Sequence, residues 1–193
     1  MHAEDLIQGT QAWLDIRKKH ITATDASVIL GVNPYKKKHA LWCEKLDLKE
    51  PEAVNSYMQR GSDLEPVARE LFQEETGTIV IPKVVFSKDY PFMMASLDGI
   101  SINNDFILEI KANGAKNHSM ACMGEIPPYH FSQIQHQLEV SKLDLAYYFS
   151  FDGKRGITLK IYRDEKYIKN LIEKELEFWH CLQFFIPPKR KND

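Results

Sequence analysis

Two apolar runs separated by a pair of asparagines constrain the fold of this chain more than any other feature. The first run, residues 92–102, contains Asp98, and the second, residues 106–112, contains Glu109 and Lys111. A short asparagine-rich loop between two such runs is typical of a β-hairpin. We therefore expect two adjoining antiparallel strands that both carry acidic side chains.

The expected register of this hairpin brings the two acids face to face. If Asn103 and Asn104 form a two-residue loop, Asp98 lies directly opposite Glu109. Like charges in that position destabilise a sheet, so a divalent cation between them is the simplest explanation. Lys111 shares the face of Glu109, because strand side chains alternate. Oxygen ligands beside an ammonium group are suited to metal-dependent phosphodiester hydrolysis.

A simpler interpretation of the same residues is a surface hairpin with an ordinary Glu–Lys ion pair. Ile107, Leu108 and Ile110 argue against it, since they make the second strand apolar on both faces. That composition is typical of a central strand. Charges on a buried strand require partners, which favours the interpretation as a functional site.

Length and composition restrict the class of protein. With 193 residues, 44% of them hydrophobic, the chain has the size of one domain, and we predict a single domain over residues 1–193. The net charge of −2 means that contact with nucleic acid must depend on local basic patches. Three scattered cysteines cannot form a four-cysteine metal site. Without a signal peptide or long apolar span, the protein is expected in the cytoplasm.

Periodicity along the chain predicts an α/β fold with a central mixed β-sheet flanked by helices. Helices are expected near residues 10–20, 26–30, 36–46, 57–75, 129–141 and 165–184. Strands are expected near residues 79–87, 92–102, 106–112, 145–151 and 157–163. The helix over 57–75 is expected to be interrupted or restarted at Gly61 and Pro66.

Two further residues could act with the hairpin. Glu65 precedes Pro66 and could supply a third carboxylate, although an acid stabilised by a helix dipole would look the same. Gln133 could orient a water or a phosphate, since an amide both donates and accepts, although a solvated polar face is an equal explanation. His130 and His136 lack metal-ligand spacing and are interpreted as ordinary surface or DNA-proximal residues.

An anion site is predicted near the N-terminus. Arg17, Thr24 and the free N–H groups of a helix beginning there could bind one phosphate together, and Ser96 could add a hydroxyl. A simple helix cap beside a surface arginine is the alternative. The basic run at residues 36–38 is either a solvated turn or a contact to a DNA backbone.

The segments together resemble a known family. Asp followed by Glu-x-Lys on adjacent strands resembles the core of the PD-(D/E)xK nucleases. The chain as a whole resembles the YqaJ-like viral recombinase family, which includes the exonuclease of phage lambda. The matching segments, in chain order, are residues 13–17 with 21–24, 60–66, 96–99, 109–111 and 131–135. Each is weak alone, but five in the right order favour functional roles for Glu65 and Gln133.

This resemblance implies an activity and a set of site residues. The expected activity is that of a Mg²⁺-dependent 5′-to-3′ exonuclease on double-stranded DNA ends, which leaves 3′ overhangs. Metal would be bound by Asp98, Glu109 and the main-chain carbonyl of Ile110, with Glu65 serving a second ion or its water. Lys111 and Gln133 would activate or hold the reacting groups. Arg17, Thr24 and Ser96 match positions that bind the 5′-terminal phosphate.

The resemblance also implies partners and an origin. Mn²⁺ would substitute for Mg²⁺, the protein would form a homotrimeric ring around DNA, and a single-strand annealing protein would act on the overhangs in phage-type recombination. The gene would be carried by a phage or prophage in a bacterial host. Two other functions stay open from sequence: a PD-(D/E)xK endonuclease of restriction or repair type, and a non-catalytic DNA-end-binding recombination protein.

Overall fold

In the computed structural model of the chain, residues 6–49, 56–112 and 114–189 are described. The helices are α1 (Gln11–Lys18), α2 (Ala23–Ile29), α3 (Lys38–Lys45), α4 (Ser56–Thr76), α5 (Ala115–Cys122), α6 (Pro128–Ser141) and α7 (Glu165–Gln183). The strands are β1 (Ile21–Thr22), β2 (Val80–Phe86), β3 (Met93–Ser101), β4 (Ile107–Ala112), β5 (Leu145–Phe151) and β6 (Gly156–Tyr162). None of these helices is both long and apolar enough to cross a lipid bilayer.

The strands within these ranges form one mixed sheet. Its order is β1-β3-β4-β5-β6, and β2 pairs with β3 beside this path. The β3–β4 and β5–β6 pairs are antiparallel, whereas β4 and β5 run parallel. A parallel pair needs a long crossover connection, and here the crossover contains α5 and α6. The crossover brings α6 back to β3 and β4.

Helices cover both faces of the sheet. On one face, Phe72 of α4 packs in an apolar cluster with Leu108 of β4 and Phe149 of β5. On the other face, Ile134 of α6 and Phe178 of α7 belong to the main core cluster. The sheet is therefore buried on both sides around β4, as the apolar sequence of that strand predicts. The predicted mixed sheet flanked by helices is confirmed.

Helix α4 differs from its prediction because it continues through Gly61 and Pro66. Pro66 lies inside the helix, although proline lacks an N–H and crowds the preceding turn. Ala68 and Phe72 follow Pro66 by two and six residues, and both are fully buried. We attribute the continuity to this tertiary packing, which outweighs the local preference for a break at proline.

The loop of the β3–β4 hairpin is also wider than predicted. Asn104 has a left-handed φ of 55°, and its N–H donates to the carbonyl of Ser101 at 2.9 Å. The Ser101 N–H donates to the Phe106 carbonyl at 3.1 Å, so four residues lie between the last paired positions. The predicted register survives because a loop longer by two residues keeps the same strand positions opposite each other.

Two elements are absent from the sequence predictions. Strand β1 has only two residues, paired with β3 at Met93 and Met94, and so short a strand has no detectable alternation. Helix α5 buries a single residue, Ala121, and therefore lacks the apolar stripe by which helices are recognised.

Candidate active site

The predicted pair of acids lies where β3 meets β4. The observed register pairs Gly99 with Leu108 and Ile100 with Ile107, so the next opposed positions are Asp98 and Glu109. Glu109 is 1% exposed, while Asp98 is half-buried. The Asp98 Oδ2 atom accepts a hydrogen bond from the Ile110 N–H at 2.8 Å. The backbone of the second strand thus orients the acid of the first.

Three donors surround the Glu109 carboxylate. Gln133 Nε2 donates to Oε1 at 2.7 Å, and Gln137 Nε2 donates to Oε2 at 2.5 Å. The two glutamines lie four residues apart on α6 and therefore point in the same direction. Lys111 Nζ forms an ion pair with Oε1 at 2.5 Å. A buried carboxylate needs such partners, and here α6 supplies two of the three.

Lys111 is joined to both Glu109 and Gln133. Its Nζ donates to Gln133 Oε1 at 3.1 Å, so this amide accepts from the lysine while it donates to the glutamate. Burial alone would lower the pKa of Lys111, but Glu109 and Asp98 outweigh it and raise the pKa to about 12. In this arrangement the amine is an ammonium group at neutral pH. It can donate hydrogen bonds and neutralise charge, but it has no lone pair to accept a proton.

Glu65 approaches the same region from α4. It forms an ion pair with Arg69 one turn later, and Arg69 Nε donates to the main-chain oxygen of Asp98 at 2.7 Å. Arg69 therefore ties α4 to the strand that carries Asp98. The Glu65 side chain is 32% exposed. Burial raises its pKa and the nearby Glu109 raises it further, although Arg69 acts in the opposite direction.

Negative charge is in excess at this site. Burial, Glu109 and Glu65 together raise the pKa of Asp98 well above its usual range, against the opposing effect of Lys111. A cation placed among these oxygens would relieve the repulsion. The donor set consists of carboxylate oxygens, which are the ligands of hard ions such as Mg²⁺. By charge and by ligand type, Asp98 and Glu109 fit a divalent ion, with Glu65 beside them.

The metal geometry itself is not assembled in this arrangement. Among the described residues, no three His, Cys, Asp or Glu side chains converge closely enough to hold an ion. The reason lies in the partners described above, because Glu65 is turned to Arg69 and Glu109 is held by Lys111 and Gln137. Ion binding by these residues would require some of these contacts to rearrange.

The three residues of the predicted anion site lie close together. Arg17 Nη2 donates to Thr24 Oγ1 at 3.1 Å, and the guanidinium carbon lies 4.4 Å from the ring centroid of Trp13. Trp13 Nε1 in turn donates to Ser96 Oγ at 2.8 Å. Ser96 precedes Asp98 by two residues on β3, so the cluster extends from the helix start at Thr24 to the acidic site.

The histidines of α6 correct a prediction, because neither is on the surface. His130 is 8% exposed and its Nδ1 lies 2.9 Å from the Tyr148 hydroxyl. Burial, with Lys111 acting in the same direction, lowers the pKa of His130 to about 2. His136 is fully buried and bonded to Glu175. A polar sequence does not reveal this burial, since it depends on α7 and the sheet enclosing α6.

Sequence reasoning did not assign roles to several residues beside the site. Gln137 was recognisable, because it repeats Gln133 one helical turn later. Ser150 lies opposite Lys111 in the β4–β5 register, and its hydroxyl is 2.9 Å from Nδ1 of His118. No local signal identifies Ser150 or His118, since their proximity to Lys111 depends on a parallel strand pairing and on a helix without an apolar stripe.

Sequence comparison identifies relatives over most of the chain. Residues 12–144 match the YqaJ-like viral recombinase domain. The chain is 31% identical over 176 residues to the uncharacterized protein YqaJ of Bacillus subtilis (strain 168), covering 87% of this chain and 54% of that protein. It is 27% identical over 152 residues to the uncharacterized protein R354 of Acanthamoeba polyphaga mimivirus, covering 71% of this chain and 28% of that protein. The chain thus spans about half or less of these relatives.

Solved structures share the fold. The structure of LHK-Exo, an alkaline exonuclease from Laribacter hongkongensis, superimposes with a TM-score of 0.78 at 24% identity, covering 92% of this chain and 94% of that one. A complex of LHK-Exo with dAMP gives a TM-score of 0.79 over the same shares of each chain, also at 24% identity. A phage-related exonuclease from Haemophilus somnus 129PT gives 0.64 at 15% identity, covering 86% and 95%.

These likenesses agree with the architecture of the chain. The mixed sheet and its flanking helices form the fold that the chain shares with these exonuclease structures. The matched domain covers well over half of the 193 residues and includes every element that carries the acidic site. The chain therefore belongs to the YqaJ-like viral recombinase domain family.

Proposed function

We propose that this protein is a metal-dependent exonuclease that degrades the 5′-ended strand of double-stranded DNA and leaves a 3′ overhang. The observation that carries the proposal is the opposition of Asp98 and Glu109 across β3 and β4, with Lys111 bonded to Glu109. Family membership and the shared fold of proteins described as exonucleases support the reaction class. The direction and the duplex substrate come from the family resemblance.

The metal is proposed to be Mg²⁺, with Mn²⁺ as a substitute and two ions per site. Asp98, Glu109 and the main-chain carbonyl of Ile110 would hold it, and Glu65 would serve the second ion or its water. When bound, a divalent ion supplies stabilisation of negative charge on the phosphate and lowers the pKa of a coordinated water. The excess of carboxylates at the site supports this assignment.

The protein groups would orient the reacting atoms. The Lys111 ammonium would donate to a phosphate oxygen or to the attacking water, and its positive charge would offset charge that develops during hydrolysis. Gln133 would keep Lys111 and Glu109 in fixed relation, because one amide bonds to both. Gln137 would hold the second oxygen of Glu109. Such positioning by residues on strands and one helix is what hydrolysis at a defined bond needs.

End recognition is proposed for the anion cluster of Arg17, Thr24 and Ser96. The guanidinium and the two hydroxyls would bind the 5′-terminal phosphate, while Trp13 fixes Arg17 by ring contact and Ser96 by a hydrogen bond. By family resemblance, we further propose that the protein acts as a homotrimeric ring and passes its overhangs to a single-strand annealing protein of phage-type recombination. The same resemblance favours a cytoplasmic site of action in a bacterial host.

Time-resolved digestion tests the proposal. Linear duplexes labelled at either end, with a 5′-phosphate or a 5′-hydroxyl, are incubated with Mg²⁺, Mn²⁺ or EDTA, beside a covalently closed circle. We expect loss of nucleotides from the 5′ ends only, an intact circle, and no reaction in EDTA. Nicking of the circle would instead identify an endonuclease. Binding to ends without hydrolysis under any metal would identify a non-catalytic end-binding protein.

A further inference from the structure

Two packed tyrosine rings, of which one is exposed, lie beside the candidate active site. Tyr35 is 81% exposed, and its ring packs edge-on against Tyr129, with ring centroids 5.9 Å apart and an angle of 80° between the planes. The exposed Tyr35 ring adds little to the stability of the fold, because a ring left in water contributes no burial free energy. An aromatic ring held in place with a free face is instead a typical stacking surface for a nucleobase.

Tyr129 connects this pair to the residues of the site. It lies one helical turn before Gln133 on α6, and Gln133 binds Lys111 at 3.1 Å. Its hydroxyl accepts a hydrogen bond from Asn117 Nδ2 at 2.8 Å, and its ring contacts His130 at a centroid distance of 4.4 Å. Burial raises the pKa of Tyr129 and Tyr35 acts in the same direction, whereas Asn117 and Lys111 act in the opposite direction. The hydroxyl is thus within electrostatic reach of the site lysine.

Tyr35 is held by a structured turn. The side chain of Asn33 accepts hydrogen bonds from the N–H groups of Tyr35 at 2.8 Å and Lys36 at 2.9 Å. The same side chain donates to Ser27 on α2 at 2.9 Å, which anchors the turn to the core. Tyr35 is therefore presented on a fixed backbone, and less entropy is lost when it binds a flat ligand.

The polar groups already assigned leave the bases without a binding surface. Asp98, Glu109 and Lys111 act on a phosphodiester, and Arg17 acts on a terminal phosphate. All of these groups recognise the backbone of a strand, and backbone contacts do not hold a base in place. A nucleotide that leaves the stack as it enters the site would lose its base–base contacts, and a protein aromatic ring can offset that cost.

We propose that Tyr35, braced by Tyr129, forms a base-stacking subsite for a nucleotide of the strand that enters the acidic site. The inference rests on the proposed function, because that function makes DNA the ligand. It goes further by assigning a residue that contacts the base rather than the phosphate. Stacking is tolerant of sequence, since every base has a flat face, so the subsite would serve a nuclease without sequence preference.

The test uses duplexes with 2-aminopurine at one of the three terminal positions of the 5′-ended strand. Binding is followed with Mg²⁺ in an Asp98→Asn background, which prevents hydrolysis, by anisotropy and by 2-aminopurine emission. We expect Tyr35→Ala to weaken binding by about 5- to 140-fold and to abolish the emission change at one position. Tyr35→Phe should retain both, because the ring remains.

Tyr162→Ala is the matched control. Tyr162 is 63% exposed and pairs with Leu145, at the opposite end of β5 from Ser150, roughly 16 Å along the strand. The control should behave like the Asp98→Asn parent. The inference is overturned if Tyr35→Ala binds and reports stacking like the parent, or if Tyr35→Phe loses as much as Tyr35→Ala.

Parallel digestion assays with Asp98 intact separate the two claims. If the protein digests DNA but Tyr35→Ala leaves binding and emission unchanged, the subsite is refuted and the nuclease function is not. Binding with a Tyr35-dependent emission change but no digestion supports the subsite and refutes the nuclease. If the unsubstituted protein neither binds nor digests DNA, the subsite and the nuclease function are both refuted.

Discussion

Helix α6 contributes to two buried polar clusters, one with an excess of negative charge and one with a single matched pair. One cluster joins Gln133 and Gln137 to Glu109 in the candidate active site. The other joins His136 to Glu175 of α7, both fully buried. In the second, His136 Nδ1 lies 2.8 Å from the carboxylate, and Nε2 lies 3.0 Å from the Met94 carbonyl.

The difference lies in how the charges are matched. His136 and Glu175 form a one-to-one pair, and the backbone carbonyl requires Nε2 to donate, so each buried group of the ring is satisfied. The candidate active site instead gathers Glu65, Asp98 and Glu109 around Lys111 and Arg69, and it stays partly open to solvent. Balanced burial serves folding, whereas an excess of one sign is unfavourable for folding and is typical of functional sites.

Asp98→Asn should have the largest effect, because it reduces the excess of negative charge that distinguishes the candidate active site. Removing a ligand and a negative charge should slow hydrolysis on the order of 10⁴-fold while DNA binding remains. The folded protein raises the pKa of Asp98. Ionisation of this group therefore destabilises the metal-free fold once the pH exceeds the ordinary pKa of an aspartate. The substitution should therefore raise Tm, measured at pH 8 in EDTA, by about 2 to 4 °C.

Asp63→Asn is the control for this substitution. Asp63 is exposed on α4 and bonds to Gln59, so its loss should change neither turnover nor Tm appreciably. Near-normal hydrolysis by Asp98→Asn would contradict the assignment of the metal site. A fall in Tm in EDTA would contradict the view that the acids repel each other.

His136→Ala tests the matched cluster. It would leave the Glu175 carboxylate buried without its partner, and the free energy of unfolding should fall by about 3 to 5 kcal/mol. Glu175→Gln keeps the side-chain volume and removes the charge, so the free energy of unfolding should fall by less. Urea denaturation measures both. A loss under about 1 kcal/mol for His136→Ala would show that the pair does not stabilise the fold as we argue.

Arg17→Ala tests the anion cluster of Arg17, Thr24 and Ser96. The loss of charge-assisted hydrogen bonds should slow digestion of 5′-phosphorylated ends by about tenfold or more. Ends with a 5′-hydroxyl should be affected little. Arg17→Lys, which keeps the charge but not the flat contact with Trp13, should be intermediate. An equal loss on both kinds of end would count against a phosphate anchor.

The smallest effect concerns the pH dependence of stability. Burial would lower the pKa of His136, but Glu175 outweighs it and raises the pKa above 6.5, and burial raises the pKa of Glu175 above 4.5. The folded state therefore holds more protons than the unfolded state from about pH 4.5 to above pH 6.5, and stability should decline as pH rises through this window. In Glu175→Gln the decline in Tm should become shallower. An unchanged slope would exclude this pair as its source.

Much of the candidate site was predictable because it depends on local periodicity. Alternation along β3 and β4 and one hairpin register are sufficient to bring Asp98 opposite Glu109 and to align Lys111 with it. The register held even though the loop was wider than expected. The four-residue spacing on α6 likewise places Gln133 and Gln137 on one face of that helix.

The remaining features required long-range packing. A proline inside a helix usually kinks or breaks it, and we attribute the continuity of α4 through Pro66 to the burial of Ala68 and Phe72. This continuity brings Glu65 and Arg69 to the strand of Asp98. The histidines of α6 look like surface residues in sequence. Their burial follows from α7 and the sheet closing over the helix, and no local pattern records it.

The sequence by itself therefore determined on which strand faces the candidate site residues lie, because side-chain direction follows from the repeat of each element. Only the tertiary structure decided the partners, such as Arg69 with the Asp98 carbonyl, Ser150 beside Lys111 and Tyr35 against Tyr129. These contacts join segments far apart in the chain. Their formation depends on how the apolar faces of sheet and helices pack, which no short stretch of sequence encodes.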